Sequence, residues 1–127
     1  MTFENIIENK GATLTKTLRK SSLKTGYMVS LKGYEVIIKA TQSTKLFYEI
    51  GRANAKAENI DNSYVGIWIE KELAYIDVSI NIKDKDKAIA FGIENDQLAI
   101  WDIENNLAIT LWLFFLEFYR LIFGFTL

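Results

Sequence analysis

Between positions 64 and 102 the chain switches its hydrophobic period from two to a helical repeat and back, in the run YVGIWIEKELAYIDVSINIKDKDKAIAFGIENDQLAIWD. That order of periods predicts two strands joined by a tight turn, then a helix, then a third strand. Val65, Ile67 and Ile69 alternate with Tyr64, Gly66, Trp68 and Glu70. After the Lys71-Glu72 turn, Ala74, Ile76, Val78 and Ile80 alternate with Tyr75, Asp77 and Ser79. Side chains alternate across a pleated strand, so both strands present a Val/Ile face to the same side. Asp84 is placed to cap a helix in which Ala88, Ile89, Gly92 and Ile93 share a side, with Phe91 at its border. Residues 97–103 form the closing strand.

Upstream, residues 26–31 and 34–39 are two β-rich runs split by Lys32-Gly33, a spacing that predicts a hairpin, with Val36, Ile37 and Ile38 marking a buried strand. From Ser43 the period becomes helical. Leu46, Ile50, Ala53 and Ala57 fall on one face of a helix running to about Glu58, with Ser43 or Thr44 as its N-cap. Residues 2–9 suit a short helical turn, and Gly11 with the polar run behind it denies a longer one. The expected architecture is α+β: an antiparallel-dominated sheet with two helices on one face, in the ferredoxin-like split βαβ order, plus a hydrophobic C-terminal segment. Three stretches divide the chain: a basic, Ser/Thr-rich segment at 1–25, the α+β domain at 26–106 and the hydrophobic segment at 107–127.

The 127 residues contain no cysteine and no histidine. This removes disulfides, thiolate metal sites, the usual zinc ligand and the ordinary nucleophilic triads. Phosphate-binding and hydrolase loops of the familiar spacings are also missing. The reading is therefore of a protein without enzymatic activity and without a cofactor. One metal site suggests itself, an Mg²⁺ held by Asp77 and Asp102 if their strands were neighbours. The start, MTFENIIENKG, lacks a basic patch followed by an apolar run, which points to a cytoplasmic protein.

Charge is unevenly spread. Residues 1–60 carry ten Lys or Arg against five Asp or Glu, whereas residues 61–127 carry five against eleven. Lys16, Arg19, Lys20 and Lys24 concentrate the basic part among Ser and Thr, which makes them candidate phosphate contacts, with a solvated loop as the alternative. If both helices cover the Val/Ile side, the other face of the sheet presents Trp68, Tyr75, Asp77 and Ser79, with Tyr64 and Trp101 as further members. Aromatic residues on an uncovered sheet face are a candidate binding face, the alternative being plain cross-strand pairing beneath a covering segment.

The segments GYMVSLKGYE, YVGIWIE, YIDVSINI and AIAFGIENDQLAIWDIENN together resemble a family of short, functionally unassigned proteins of bacteriophages and mobile elements. Its members share a GY-x-VS opening, a YVG-x-W strand, a YIDVS strand and a QLAIWD closing strand, covering residues 11–106 here. The resemblance implies an accessory protein that acts on a host protein or nucleic acid, with inhibition of host defence among the roles found in that setting. Nucleic-acid binding would join the basic segment to stacking on Trp68 or Tyr75.

The segment at 107–127, LAITLWLFFLEFYRLIFGFTL, is apolar apart from Thr110, Glu117, Arg120, Gly124 and Thr126. As one helix it would be about 31 Å long, near a bilayer core. Glu117 and Arg120 oppose insertion at roughly 2.5–3.5 kcal/mol each near the bilayer centre, softened if they pair. Three readings follow: membrane association, packing on the domain or in a homo-oligomer, and a non-native end such as a shifted reading frame.

Overall fold

The computed structural model describes residues 2–112, 114, 116 and 121. In chain order the elements are α1 (Phe3–Glu8), β1 (Gly11–Leu14), β2 (Tyr27–Ser30), β3 (Val36–Lys39), α2 (Ser43–Lys56), β4 (Ser63–Glu70), β5 (Leu73–Ile82), α3 (Lys85–Glu94), β6 (Ala99–Asp102) and β7 (Leu107–Thr110). The seven strands form one antiparallel sheet in the order β1-β4-β5-β2-β6-β7, with β3 pairing β5 beside β2.

The hairpin of β4 and β5 follows the alternation. Its register runs from Ser63 opposite Ile80 to Glu70 opposite Leu73, and Lys71 turns the chain with a left-handed φ of 55°. Val65, Ile67, Ile69, Ala74, Ile76 and Val78 are all buried on one side. α2 covers that side with Leu46, Ile50, Ala53 and Ala57, the four residues whose spacing predicts the helix. Its N-cap is Gln42 rather than Ser43 or Thr44, and no side chain caps it. α3 lies over β2 and β6, capped by Asp84, whose Oδ1 accepts from the Lys87 N–H at 2.8 Å.

Three sequence expectations change. The runs around Lys32-Gly33 do not form a hairpin with each other. β2 and β3 both pair antiparallel with β5, Tyr27 to Ser30 lying opposite Ile82 to Ser79 and Val36 to Lys39 opposite Ile76 to Leu73. They are one strand interrupted by residues 31–35. Gly33 does turn, with φ 91°, but within an excursion that the Lys32 N–H and ammonium tie to Asn95 and Asp96 at the end of α3. A hairpin there would have left one side of β5 without partners, and unpaired backbone inside a sheet is costly. β3 is correspondingly half-covered: Ile38 is buried and Ile37 exposed.

The basic segment at 1–25 is also part of the domain. Gly11–Leu14 pair with β4, and Ile6 and Leu14 are fully buried in the same core as Leu46 and Ile76. α1 thus joins α2 and α3 on the covered side of the sheet. The four-residue strand is hard to read among Lys and Thr because only Ala12 and Leu14 mark its inner face.

Third, the boundary at 106 cuts a hairpin. Leu107–Thr110 pair with β6, so the first four residues of the hydrophobic segment are strand, not helix. Leu111 follows at 1% exposure, packed with Val29, Ala88, Ile89 and Ile100. Gly92 makes room for it, since a Cβ there would stand 2.6 Å from Leu111 Cδ1 and 2.9 Å from Ile100 Cγ2. No helix among the described residues is long and apolar enough to cross a membrane. The readings of residues 113, 115, 117–120 and 122–127 lie outside the described residues. Because Leu111 closes the core beneath α3, Leu111→Ala is expected to lower the unfolding free energy by about 2–5 kcal/mol. Equilibrium urea denaturation checks this, and an unchanged midpoint would show that Leu111 lies outside the cooperative unit.

Candidate binding face of the sheet

Helices cover one side of the sheet, and strand register arranges the side chains on the other in rows. Ile37, Tyr75, Trp68 and Gly11 are successive cross-strand neighbours on β3, β5, β4 and β1. Two residues along β5 the row is Asp77, Gly66 and Thr13, and two further on it is Ser30, Ser79 and Tyr64. Asn81, Met28, Trp101 and Ala108 make the last row. The face is therefore banded, with a polar strip between two apolar flanks.

Most of these residues line one open concavity of about 680 Å³ that reaches from the β1 side, at Lys10 and Thr13, to Trp101, Asn106 and Ala108 on the other. All four candidate residues line it: Trp68 at 54% exposure, Tyr75 and Asp77 half-buried, and Ser79 buried. Trp101 lines it at 38% exposure, whereas Tyr64 shares the face without lining the concavity. Sequence reasoning missed Met28, Ser30, Thr13 and Gly66. The signal for the first two was the alternation in GYMVS, which the expected hairpin placed elsewhere. For Gly66 it was a glycine inside a strand, a mark of close approach.

Gly66 is where Asp77 rests. A Cβ at position 66 would collide with Asp77 Oδ1, so glycine lets the carboxyl lie low across β4. The Ser30 hydroxyl donates to Asp77 Oδ2 at 2.6 Å. Burial pushes the Asp77 carboxyl above its ordinary value of 3.8 and the charge of Glu35 adds to this, while the Ser30 hydroxyl and the Gly66 backbone act in the opposite sense.

Asp77 and Asp102 do not form a metal pair. β6 adjoins β2 rather than β5, and Asp102 shares the covered side with Ile100 while Asp77 is on the open one. The Asp102 carboxylate instead accepts from the Asn105 N–H at 3.2 Å and the Asn105 amide at 2.8 Å, holding the β6–β7 turn. No group of three or more metal-ligating acidic residues occurs among the described residues.

None of the four basic residues lines the concavity. The Lys16 ammonium donates to the carbonyls of Ile60 at 2.5 Å and Glu58 at 3.4 Å, and the Asn54 amide donates to the Lys16 carbonyl at 2.8 Å. Lys16 thus docks its loop on the C-terminal end of α2, where a cation is favoured by the helix dipole. Arg19 and Lys20 close the same loop through a 2.8 Å bond from the Thr15 N–H to the Arg19 carbonyl and a bridge from Leu14 to Lys20. Their side chains and that of Lys24 are exposed.

Comparison of the chain with known protein families, curated proteins and solved structures gives no match, so the resemblance to phage and mobile-element proteins stands on its sequence pattern alone.

The Asp77 geometry sets a pH dependence. A carboxyl whose folded-state pKa is raised binds its proton more tightly in the fold, so its effect on stability is most favourable in acid and is lost as pH rises through that raised value. Asp77→Asn removes the titration. The stability of this variant relative to wild type is expected to increase from pH 3.8 upward until Asp77 is fully ionised. Urea unfolding of both proteins across that range checks the sign, and a constant difference would contradict it.

Proposed function

We propose that this chain is a non-enzymatic binding protein that docks a host protein on the open face of its sheet. The supporting observation is the concavity itself, in which Trp68 and Tyr75 stand on one flank and Trp101 and Met28 on the other of a polar strip. Exposed aromatic rings grouped around a recess are the usual anchors of protein interfaces, because they bury much area at little entropic cost. The sequence resemblance supplies the setting, an accessory protein of a phage or mobile element, with defence inhibition as one role.

A nucleic-acid reading asks cations and stacking rings to follow one strand. The cations of the basic segment lie off the concavity, and Lys16 is engaged by backbone carbonyls. A protein partner is therefore favoured. We also read the inner strands β4, β5, β2 and β6 as an elaborated ferredoxin-like unit. Their antiparallel order, with α2 and α3 as crossovers on one side, supports this reading.

The test is affinity capture from a bacterial host with wild-type protein and a Trp68→Ala, Trp101→Ala double variant. Both side chains are at the surface, so thermal unfolding should be nearly unchanged while a partner retained by wild type is lost. Partners recovered equally by both proteins would sink the sheet-face reading. Retention that falls steeply with rising salt would return the argument to phosphate contacts.

A further inference from the structure

We propose that the polar strip of the concavity is a receptor for one basic side chain of the partner, an arginine seated on the Asp77 carboxylate beside Trp68 and Tyr75. This rests on the sheet-face reading and deepens it by naming the chemistry of the contact. Asp77 is the sole acidic residue lining the concavity among the described residues. Ser30 is the only side-chain donor to it among them, and neither of the ion pairs they form, Lys32–Asp96 and Arg52–Glu49, involves it. Lys10 lines the rim but is not within ion-pair distance of the carboxylate.

A carboxylate set low between strands loses hydration that the Ser30 hydroxyl and the Gly66 backbone only partly replace, and its raised pKa reports that loss. An incoming cation would supply the counter-charge that no ion pair among the described residues gives Asp77. The surroundings favour one that also stacks. Tyr75 is two residues along the same strand, about 7 Å away. Trp68 is the diagonal cross-strand neighbour, at about 7–8 Å. A cation above Asp77 therefore comes within reach of both rings, the range of a cation–π contact being about 6 Å from the ring centre. A planar guanidinium satisfies ring and carboxylate together, stacking on one and forking to the other, whereas an ammonium is a strongly hydrated point charge. Gly66 leaves the approach over Oδ1 without a side chain. The line along β5 from Tyr75 to Asn81 spans seven residues, about 20 Å, which suits an extended segment with apolar residues either side of the arginine. A nucleic acid would instead bring phosphate charge against Asp77.

The experiment uses the full chain and capped pentapeptides with leucine at both ends and arginine, lysine or citrulline at the centre, followed by tryptophan fluorescence or NMR titration to millimolar concentration. Citrulline keeps the shape of arginine and removes its charge. The arginine peptide is expected to bind about tenfold more tightly than the citrulline peptide, with lysine between them. Asp77→Asn should abolish that preference, and Ser30→Ala should retain it. Equal binding of arginine and citrulline peptides to wild type overturns the receptor, and this comparison needs no variant to fold. No arginine-peptide binding at millimolar concentration, or a preference that survives Asp77→Asn, overturns it too. Failure of the underlying reading is distinct: the Trp68→Ala, Trp101→Ala protein would then still retain every captured partner.

Discussion

Pairing on both sides of β5 is the constraint to which the rest of this molecule answers. Ten consecutive residues present N–H and C=O groups left and right, and buried peptide groups must be matched. β4 covers one side from Leu73 to Ile80, and β2 and β3 divide the other between them. Once β5 is central, its alternation decides what each side of the sheet is. Ala74, Ile76 and Val78 fix the covered side, and α1, α2 and α3 are needed to keep that side dry. A slip of one residue would exchange Ile76 for Asp77 and reverse both faces.

The same alternation explains how much of the fold is legible from residues alone. The β4–β5 hairpin, α2 and α3 are readable because each has one clean period, and most of their inner residues are buried, Ile80 and Ile93 only partly. Pairing between distant segments is less legible. GYMVS and EVIIK look like two halves of a hairpin because Lys-Gly separates them, and only the need of β5 for a second neighbour makes them collinear. β1 is too short and too polar to announce itself. Leu107–Thr110 are hidden by the apolar run that follows, whose composition suggests a helix more strongly than four residues can suggest a strand. For the candidate site, Trp68, Tyr75, Asp77 and Ser79 are found together because they belong to one hairpin. Ser30, Met28 and Thr13 arrive from other strands, and a single sequence carries no register for them. The setting of Lys16 on the end of α2 is likewise a tertiary contact across more than forty positions, invisible to local pattern.

Asp77 shows how the two faces differ in what they ask of the chain. On the covered side most positions are settled by apolar packing, down to the missing side chain of Gly92, with the buried Glu49 carboxylate on α2 as an exception. On the open side a glycine makes room for a charge rather than for a methyl group, and the carboxyl is held where water solvates it poorly. Local arrangements that oppose stability and serve no packing need are the ones that fit a functional surface.

The break between β2 and β3 also affects how the chain can change. Each half is registered against β5 by its own pairs, and of the five residues between them Leu31 adds a bond from its N–H to the Val78 carbonyl, so residues 32–35 set neither alignment. Lengthening that excursion costs only the slowly growing entropy of closing a longer loop, and both halves can keep their partners. The sheet therefore carries, opposite the middle of β5 and against the end of α3, a position where sequence can be inserted and diversified as long as Leu31 and Tyr34 keep their packing on the core.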